Sequence, residues 1–424
     1  MNPTKLVVSG LALLSSIATC MGSPAKPSPV EGTWNATLSA PGRTVPFTLV
    51  IAERGDGKWA ASVRNASETI EIPVVSFDGA TLQLGFDYYD SAITATLGKD
   101  GGLSGAWKRR RGPEEWASMD FGAVRAPAAP GAGADAAKLV THGLVLNNVG
   151  RWDVKFADDP DPAVLILKMS TAPSGTILPG EATILTPTGD FRYLRAELTM
   201  DYDLDLSCFD GVHAFHITGH IASDGSITGD FYSGAKSHAT WTAKPNSKAA
   251  LADGFGIAKL KPGVDLSSLS FPDPEGNVKS LAAPEFAGKA RIIELFGTWC
   301  PNCRDETALL KELNAKYKER GLSILSLAFE VTGDPARDAN QVKIYEKRMG
   351  VTWPVLIAGT NQKEKAAAAF PVLESIPGYP TTLFVDGTGK VRAVYVGFSG
   401  PATGVEYTAL RGRFEKLIET MLSE

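Results

Sequence analysis

Trp299-Cys300-Pro301-Asn302-Cys303 sets two thiols on one helical turn, close enough to form a disulfide and to exchange it. The setting matters more than the spacing. Ile292 to Phe296 is an apolar run broken only by Glu294 and reads as a buried strand, while Leu309, Leu310, Leu313 and Tyr317 recur at helical spacing. The pair therefore falls at a strand-to-helix junction. A cysteine at a helix N-terminus faces unpaired N–H groups and the positive end of the macrodipole, and both favour thiolate. Such a thiol can have its pKa lowered to roughly 3.5–7.5, against about 8.5 when free. Pro301 suits the first turn, where its missing N–H is not needed. The competing chemistry is half of a zinc site, but no second CxxC or histidine pair follows Cys303. A bridge across so short a loop stabilises little, so its purpose is chemical.

Other reactive side chains point nowhere as firmly. His213, His216 and His220, with His238 and Cys208 nearby, could suggest a metal site. On a strand, however, positions 213 and 216 face opposite ways, and only 216 and 220 share a side. Scattered histidines explain them better than a ligand set, and no metal is expected. Cys208 reads as a small buried apolar residue. A net charge of -5 argues against nucleic acid as a partner. The run Lys108 to Arg111 precedes Glu114-Glu115 and reads as a solvated hairpin turn with its own counter-charges.

From about Gly254 to Glu424, strands and helices alternate. Leu322 to Phe329 and Val355 to Ile357 read as further strands, Ala336 to Met349 as a second helix, and Thr381 to Val385 with Val391 to Val396 as a closing hairpin. A final helix carries Tyr407, Leu410, Phe414, Leu417, Ile418 and Met421. This grammar predicts an α/β domain over 254–424. Ahead of it the chain is β-rich, as module 1 over 28–125 and module 2 over 143–244, joined by an Ala/Pro/Gly linker over 126–142. The modules look duplicated. Leu82-Gln83-Leu84, Phe86-Asp87 and Asp100-Gly101-Gly102-Leu103-Ser104-Gly105 recur as Leu204-Asp205-Leu206, Phe209-Asp210 and Asp224-Gly225-Ser226-Ile227-Thr228-Gly229, and each copy opens on Gly-x-Trp. Two barrels and one shared sandwich are both open.

Residues 1–20 have the form of a signal peptide, with Lys5 ahead of the apolar stretch Leu6 to Ala18. Ile17-Ala18-Thr19-Cys20 resembles a lipoprotein box, with Thr19 a departure from the usual small residue. Lipidation at Cys20 and ordinary cleavage nearby both remain open. The expected location is the periplasm or cell envelope, lipid-anchored or free.

Phe296-Gly297-Thr298-Trp299-Cys300-Pro301-Asn302-Cys303-Arg304-Asp305-Glu306, followed by Gly378-Tyr379-Pro380-Thr381-Thr382-Leu383-Phe384-Val385-Asp386, resembles the TlpA/ResA-like branch of the thioredoxin superfamily. The resemblance covers 254–424 and leaves the β-modules outside. It implies a thioredoxin fold in which Cys300 attacks and Cys303 resolves. Pro380 takes the place of the family's cis-proline, and Trp299, Tyr379 and Pro380 would meet the substrate chain. Glu294 stands where thioredoxins carry a buried acid. There, desolvation would raise its pKa and suit it to proton exchange with Cys303; the alternative is an acid at the strand edge reaching solvent or a lysine. Glu306 stands where this branch has a glutamate, the alternative being a solvated helix residue. Ala308 departs from a helix-kinking proline.

The implied activity is thiol–disulfide exchange with envelope proteins, as a reductase supplied with electrons by a membrane thiol-transfer protein. No cofactor is expected beyond the disulfide itself. A peroxiredoxin would need a Thr and a Pro where this chain has Gly297 and Ile293. A reading of another class is an envelope binding protein whose β-modules recognise a partner, with the redox domain auxiliary.

Overall fold

The computed structural model describes residues 28–55, 57–127, 149–171 and 177–424. The leader with Cys20, residues 128–142 of the linker and the first residues of module 2 lie outside them. An all-β region precedes an α/β domain of thioredoxin type.

The first β-region comprises β1 (Gly32–Ala40), β2 (Arg43–Glu53), β3 (Trp59–Asn65), β4 (Glu68–Ile72), β5 (Val74–Phe77), β6 (Thr81–Phe86), β7 (Ser91–Leu97), β8 (Leu103–Arg110) and β9 (Trp116–Arg125). They form one antiparallel meander in the order β4-β3-β2-β1-β9-β8-β7-β6-β5. Its two end strands, β4 and β5, are separated in the chain by Pro73 alone, so the sheet curls into a ring completed by one bent strand. A residue without an N–H fits that bend. Alternation turns Trp34, Ala36 and Leu38 of β1, and Val45, Phe47, Leu49 and Ile51 of β2, into the interior, which they fill.

The second comprises β10 (Val149–Phe156), β11 (Ala163–Thr171), β12 (Ile177–Thr186), β13 (Gly189–Asp190), β14 (Leu194–Leu198), β15 (Asp203–Phe209), β16 (Ala214–Ile221), β17 (Ile227–Ser233) and β18 (Ser237–Pro245). Because β11 pairs with both β10 and β12, this ring is hydrogen-bonded all the way round, with β13 a short addition to β12. The repeat seen in the sequence lands on equivalent places. Leu82 and Leu204 lie on corresponding strands β6 and β15, and the Asp-Gly turns join β7 to β8 and β16 to β17. Gly101 and Gly225 take φ of 81° and 80°, the left-handed region that glycine occupies without strain. A Cβ at Gly105 would strike the Thr94 carbonyl across the sheet, and one at Gly229 the Thr218 carbonyl. These are two barrels built to one plan, not one shared sandwich.

The barrels are interlocked. Phe209, at the end of β15, is fully buried among Phe47, Phe86 and Trp107 of the first barrel, at ring-centroid distances of 4.8, 5.8 and 5.5 Å. Asn65 fixes the same residue twice, donating to Phe209 O at 2.8 Å and accepting from Phe209 N at 3.2 Å.

The α/β domain opens with a hairpin of β19 (Ser270–Pro272) and β20 (Val278–Ser280). Then come β21 (Ala290–Phe296), α1 (Pro301–Tyr317), β22 (Leu322–Glu330), α2 (Pro335–Met349), β23 (Val355–Thr360), α3 (Lys363–Ala369), β24 (Thr381–Asp386), β25 (Val391–Val396) and α4 (Val405–Ser423). The sheet order is β23-β22-β21-β24-β25, parallel through its first three strands and antiparallel thereafter. Strand β21 is central and is buried on both faces. Ile293 and Leu295 join Leu325, Leu327 and Phe370 on one side, and Ile292 joins Leu310, Leu313, Phe384 and Phe414 on the other. Among the described residues, no helix is long and apolar enough to cross a membrane.

Two smaller expectations change. Lys108 to Arg110 of the basic run belong to β8 and only Arg111 to the turn, and Arg110 pairs with Asp90 at 2.7 Å instead of with the following glutamates. Each described histidine has its own aspartate: His213 with Asp210, His216 with Asp205, His220 with Asp203 and His238 with Asp230.

Removing the Phe209 ring should leave a cavity where the barrels meet. Phe209→Ala should lower stability by about 3–5 kcal/mol, measured by guanidinium unfolding. A loss near zero would mean that the barrels do not stabilise one another through this residue.

Candidate functional site

Strand β21 delivers the chain to the rim of the sheet, and Gly297-Thr298-Trp299 turns it into α1. The turn is pinned from below. Glu330, the last residue of β22, accepts from Thr298 N at 3.0 Å through one carboxylate oxygen and from Thr298 Oγ1 at 2.7 Å through the other. Trp299 Nε1 donates to Phe329 O at 2.9 Å. Cys300 then sits as the N-cap of α1, its sulfur accepting the Cys303 N–H at 3.2 Å, with Pro301 in the first turn. Cys300 and Cys303 are joined as a disulfide with Cα atoms 5.3 Å apart. Cys300 is 5% exposed and Cys303 fully buried.

The second motif comes to the same place. The Tyr379–Pro380 peptide is cis, and Tyr379 O lies 3.6 Å from Cys300 Sγ. The Tyr379 ring meets Trp299 edge-on at 5.6 Å and Phe329 at 5.6 Å. The structure thus brings Trp299, Cys300, Cys303, Tyr379 and Pro380 together.

Both acids singled out in the sequence are buried behind them. Glu294 accepts from Ser326 Oγ at 2.6 Å, and that hydroxyl also accepts from Trp353 Nε1 at 2.9 Å. Burial pushes the Glu294 carboxyl up to about 7, against the opposing pull of its hydroxyl partners. Glu306, one turn beyond Cys303, is fully buried and accepts from Thr382 Oγ1 at 2.7 Å. Burial raises it well above the usual carboxylate range, and the neighbouring Glu294 adds to this. Glu306 is therefore no solvated helix residue and Glu294 no edge acid. One oxygen of each has no protein partner. Burial therefore favours the protonated form of both carboxyls, and of Glu306 the more strongly. Helix α1 runs unbroken through Ala308.

Other site residues escaped the sequence reading. Glu330 is 1% exposed and pushed up to about 7 by burial; its only signal was that it ends an apolar run, as Glu294 interrupts one. Asp190 and Arg192 come from the second barrel, where Pro187-Thr188-Gly189 reads merely as a turn. Asn302 Nδ2 donates to Asp190 O at 3.2 Å, and Gly400 N donates to Asp190 Oδ2 at 3.0 Å. The buried Arg192 donates to Pro301 O at 3.2 Å and forms ion pairs with Asp305 of α1 and Glu68 of the first barrel. Burial, with Asp305 next in order, pushes Asp190 up to about 7. The first barrel also grips α2: Arg348 pairs with Asp87 at 2.6 Å, Arg337 with Asp90, and Gln341 donates to Asp87 O at 2.8 Å.

Comparison with known proteins gives a consistent picture of this domain. The Redoxin family model matches residues 261–408. Thiol-disulfide oxidoreductase ResA of Bacillus thuringiensis subsp. konkukian is 31% identical over 133 residues, which are 31% of this chain and 68% of that protein. ResA of Geobacillus thermodenitrificans is 30% identical over 125 residues, 30% of this chain and 63% of that protein. Among solved structures, a thiol:disulfide interchange protein of the thioredoxin family from Chlorobium tepidum aligns over 39% of this chain and 99% of its own, with 25% identity and a TM-score of 0.29.

Folding keeps on Glu294 a proton that the unfolded chain releases near the ordinary value of 4.5. The stability it contributes is complete below that value and is lost as pH rises to about 7. Glu294→Gln cannot ionise and escapes that loss. Relative to the unaltered oxidised protein, its unfolding free energy should rise by about 1–3 kcal/mol between about pH 5 and about pH 8, read from denaturant midpoints. A difference that does not change with pH would mean that Glu294 is already ionised at the lower end.

Proposed function

Because the chain belongs, through its C-terminal domain, to the TlpA/ResA-like family of thiol–disulfide oxidoreductases, we propose that it exchanges disulfides with envelope proteins through Cys300 and Cys303, as a reductase. The observation that carries this is the position of Cys300 as N-cap of α1, its sulfur on the Cys303 amide and 3.6 Å from Tyr379 O. In the reduced protein that amide and the helix dipole favour a Cys300 thiolate. The thiolate attacks a substrate disulfide; a Cys300–substrate disulfide forms and one substrate thiolate leaves. Cys303 then gives its proton to the Glu294–Glu306 pair and attacks Cys300 Sγ. The second substrate sulfur leaves as a thiolate, and the Cys300–Cys303 disulfide remains. Two electrons have passed to the substrate, and a membrane thiol-transfer protein would return two to the pair. The disulfide is the only redox group this needs.

Trp299, Tyr379 and Pro380 form the face that meets the substrate chain, with Tyr379 offering its backbone. Export rests on the leader sequence, and anchoring on Cys20. The alternative of a binding protein with an auxiliary redox domain is less well supported, because both barrel interiors are filled by side chains and both barrels touch the redox domain.

Cys303→Ser should accumulate covalent complexes with envelope proteins, visible on non-reducing gels and released by reductant, while Cys300→Ser should abolish complexes and activity. Trapping by Cys300→Ser instead would reverse the two roles. A reductase should have a potential nearer about -270 mV than about -120 mV, measured against glutathione.

A further inference from the structure

We propose that the turn over residues 187–192 of the second barrel is a specificity-determining gate, seated on the strip beside Cys300 along which a protein substrate would pair. This rests on the reading of Cys300 and Cys303 as the exchanging pair. Three loops surround the disulfide, and the turn touches each. Against the CxxC loop, a Cβ built at Gly189 would land on the Asn302 carboxamide. Against the cis-proline loop, Thr188 packs so tightly that a Cβ at Gly378 would come within 2.8 Å of its own Cβ. Against the loop after β25, a Cβ at Gly397 would lie 2.7 Å from Pro187 O. Tyr379 O, the acceptor a substrate backbone would need, belongs to the residue after Gly378 and lies 3.6 Å from Cys300 Sγ.

What holds the turn is polar and local. Asp190 takes one hydrogen bond from Asn302 and another from Gly400, while Arg192 reaches Pro301 O, Asp305 and Glu68. An interface of directional bonds over a redox site can part without exposing a core, unlike the apolar lock around Phe209. With the turn seated, a small disulfide can approach the sulfur but a polypeptide cannot lie across it. The gate therefore confines protein exchange to partners that displace the turn, and lets small disulfides react without doing so.

The test uses the reduced full-length chain and two variants that open the turn by different means. Arg192→Ala removes the clasp. Gly189→Val, at φ 150°, drives a side chain into Asn302 while keeping the guanidinium, and so separates opening from any change in the charge near Cys300. Rates are measured with insulin as the protein disulfide and with glutathione disulfide as the small one. The ratio of the insulin rate to the glutathione disulfide rate should rise about ten-fold or more in both variants, as expected for loss of a charge-assisted bond. An unchanged ratio in either variant that retains the parent's unfolding transition would overturn the gate. A readout without any substitution uses the reduced unaltered protein, where N-ethylmaleimide should label Cys300 much faster than the same maleimide linked to a polymer does. Equal relative reactivity to that of an unfolded control would also overturn it. Failure of all three proteins to react with glutathione disulfide would instead overturn the assignment of the exchanging pair.

Discussion

Cys300 ends a turn that begins in the central strand of the α/β sheet and starts the helix that covers it. Its sulfur is therefore held from two directions, by the amide of Cys303 within the helix and by the rigid exit from β21 beneath it. Everything reactive in the domain is referred to that junction. The helix supplies a positive end, the strand supplies Glu294, the next turn of helix supplies Glu306, and β24 brings Tyr379 and Pro380 alongside. Moving the junction by one residue would turn Cys303 away from the carboxyls and Cys300 away from Tyr379.

Three carboxyls are buried within this small volume, and they are held differently. Glu330 spends both oxygens on Thr298, so it acts as a rivet for the turn before Cys300. Glu294 and Glu306 each leave one oxygen without a protein partner. Burial favours the protonated form at all three, Glu330 included, so what separates them is the hydrogen bonding and not the direction of the shift.

The strand, helix and turn pattern of the α/β domain is legible in the sequence because its amphipathic periods are strong and its motifs are local. Cys300 and Cys303 could be placed at a strand-to-helix junction from the local pattern, since their neighbours in the chain are their neighbours in space, while the resemblance singled out Glu294 as a buried acid. The duplication was legible too, because Gly101 and Gly225 must take a conformation that other residues resist. Closure of the barrels was not, because it depends on β11 meeting β12 and on the bend at Pro73, which are questions of register rather than of composition. The contribution of Asp190 and Arg192 was least visible of all. Arg192 lies more than a hundred residues from Pro301, in a turn whose own sequence is ordinary, and only docking of the barrels gives it a role. The hairpin of β19 and β20 and the short α3 escaped notice because each is too brief for a period to show.

The closed form of the two barrels has a consequence for the company such a protein keeps. A thiol–disulfide oxidoreductase meets chains whose disulfides are missing or wrong, and such chains carry exposed strands in search of a partner. An open sheet would offer such chains a free ladder to add to. The second ring has its ladder satisfied all the way round, and the first ends only in the two halves of one bent strand. The second barrel thus presents no free ladder beside the reactive disulfide.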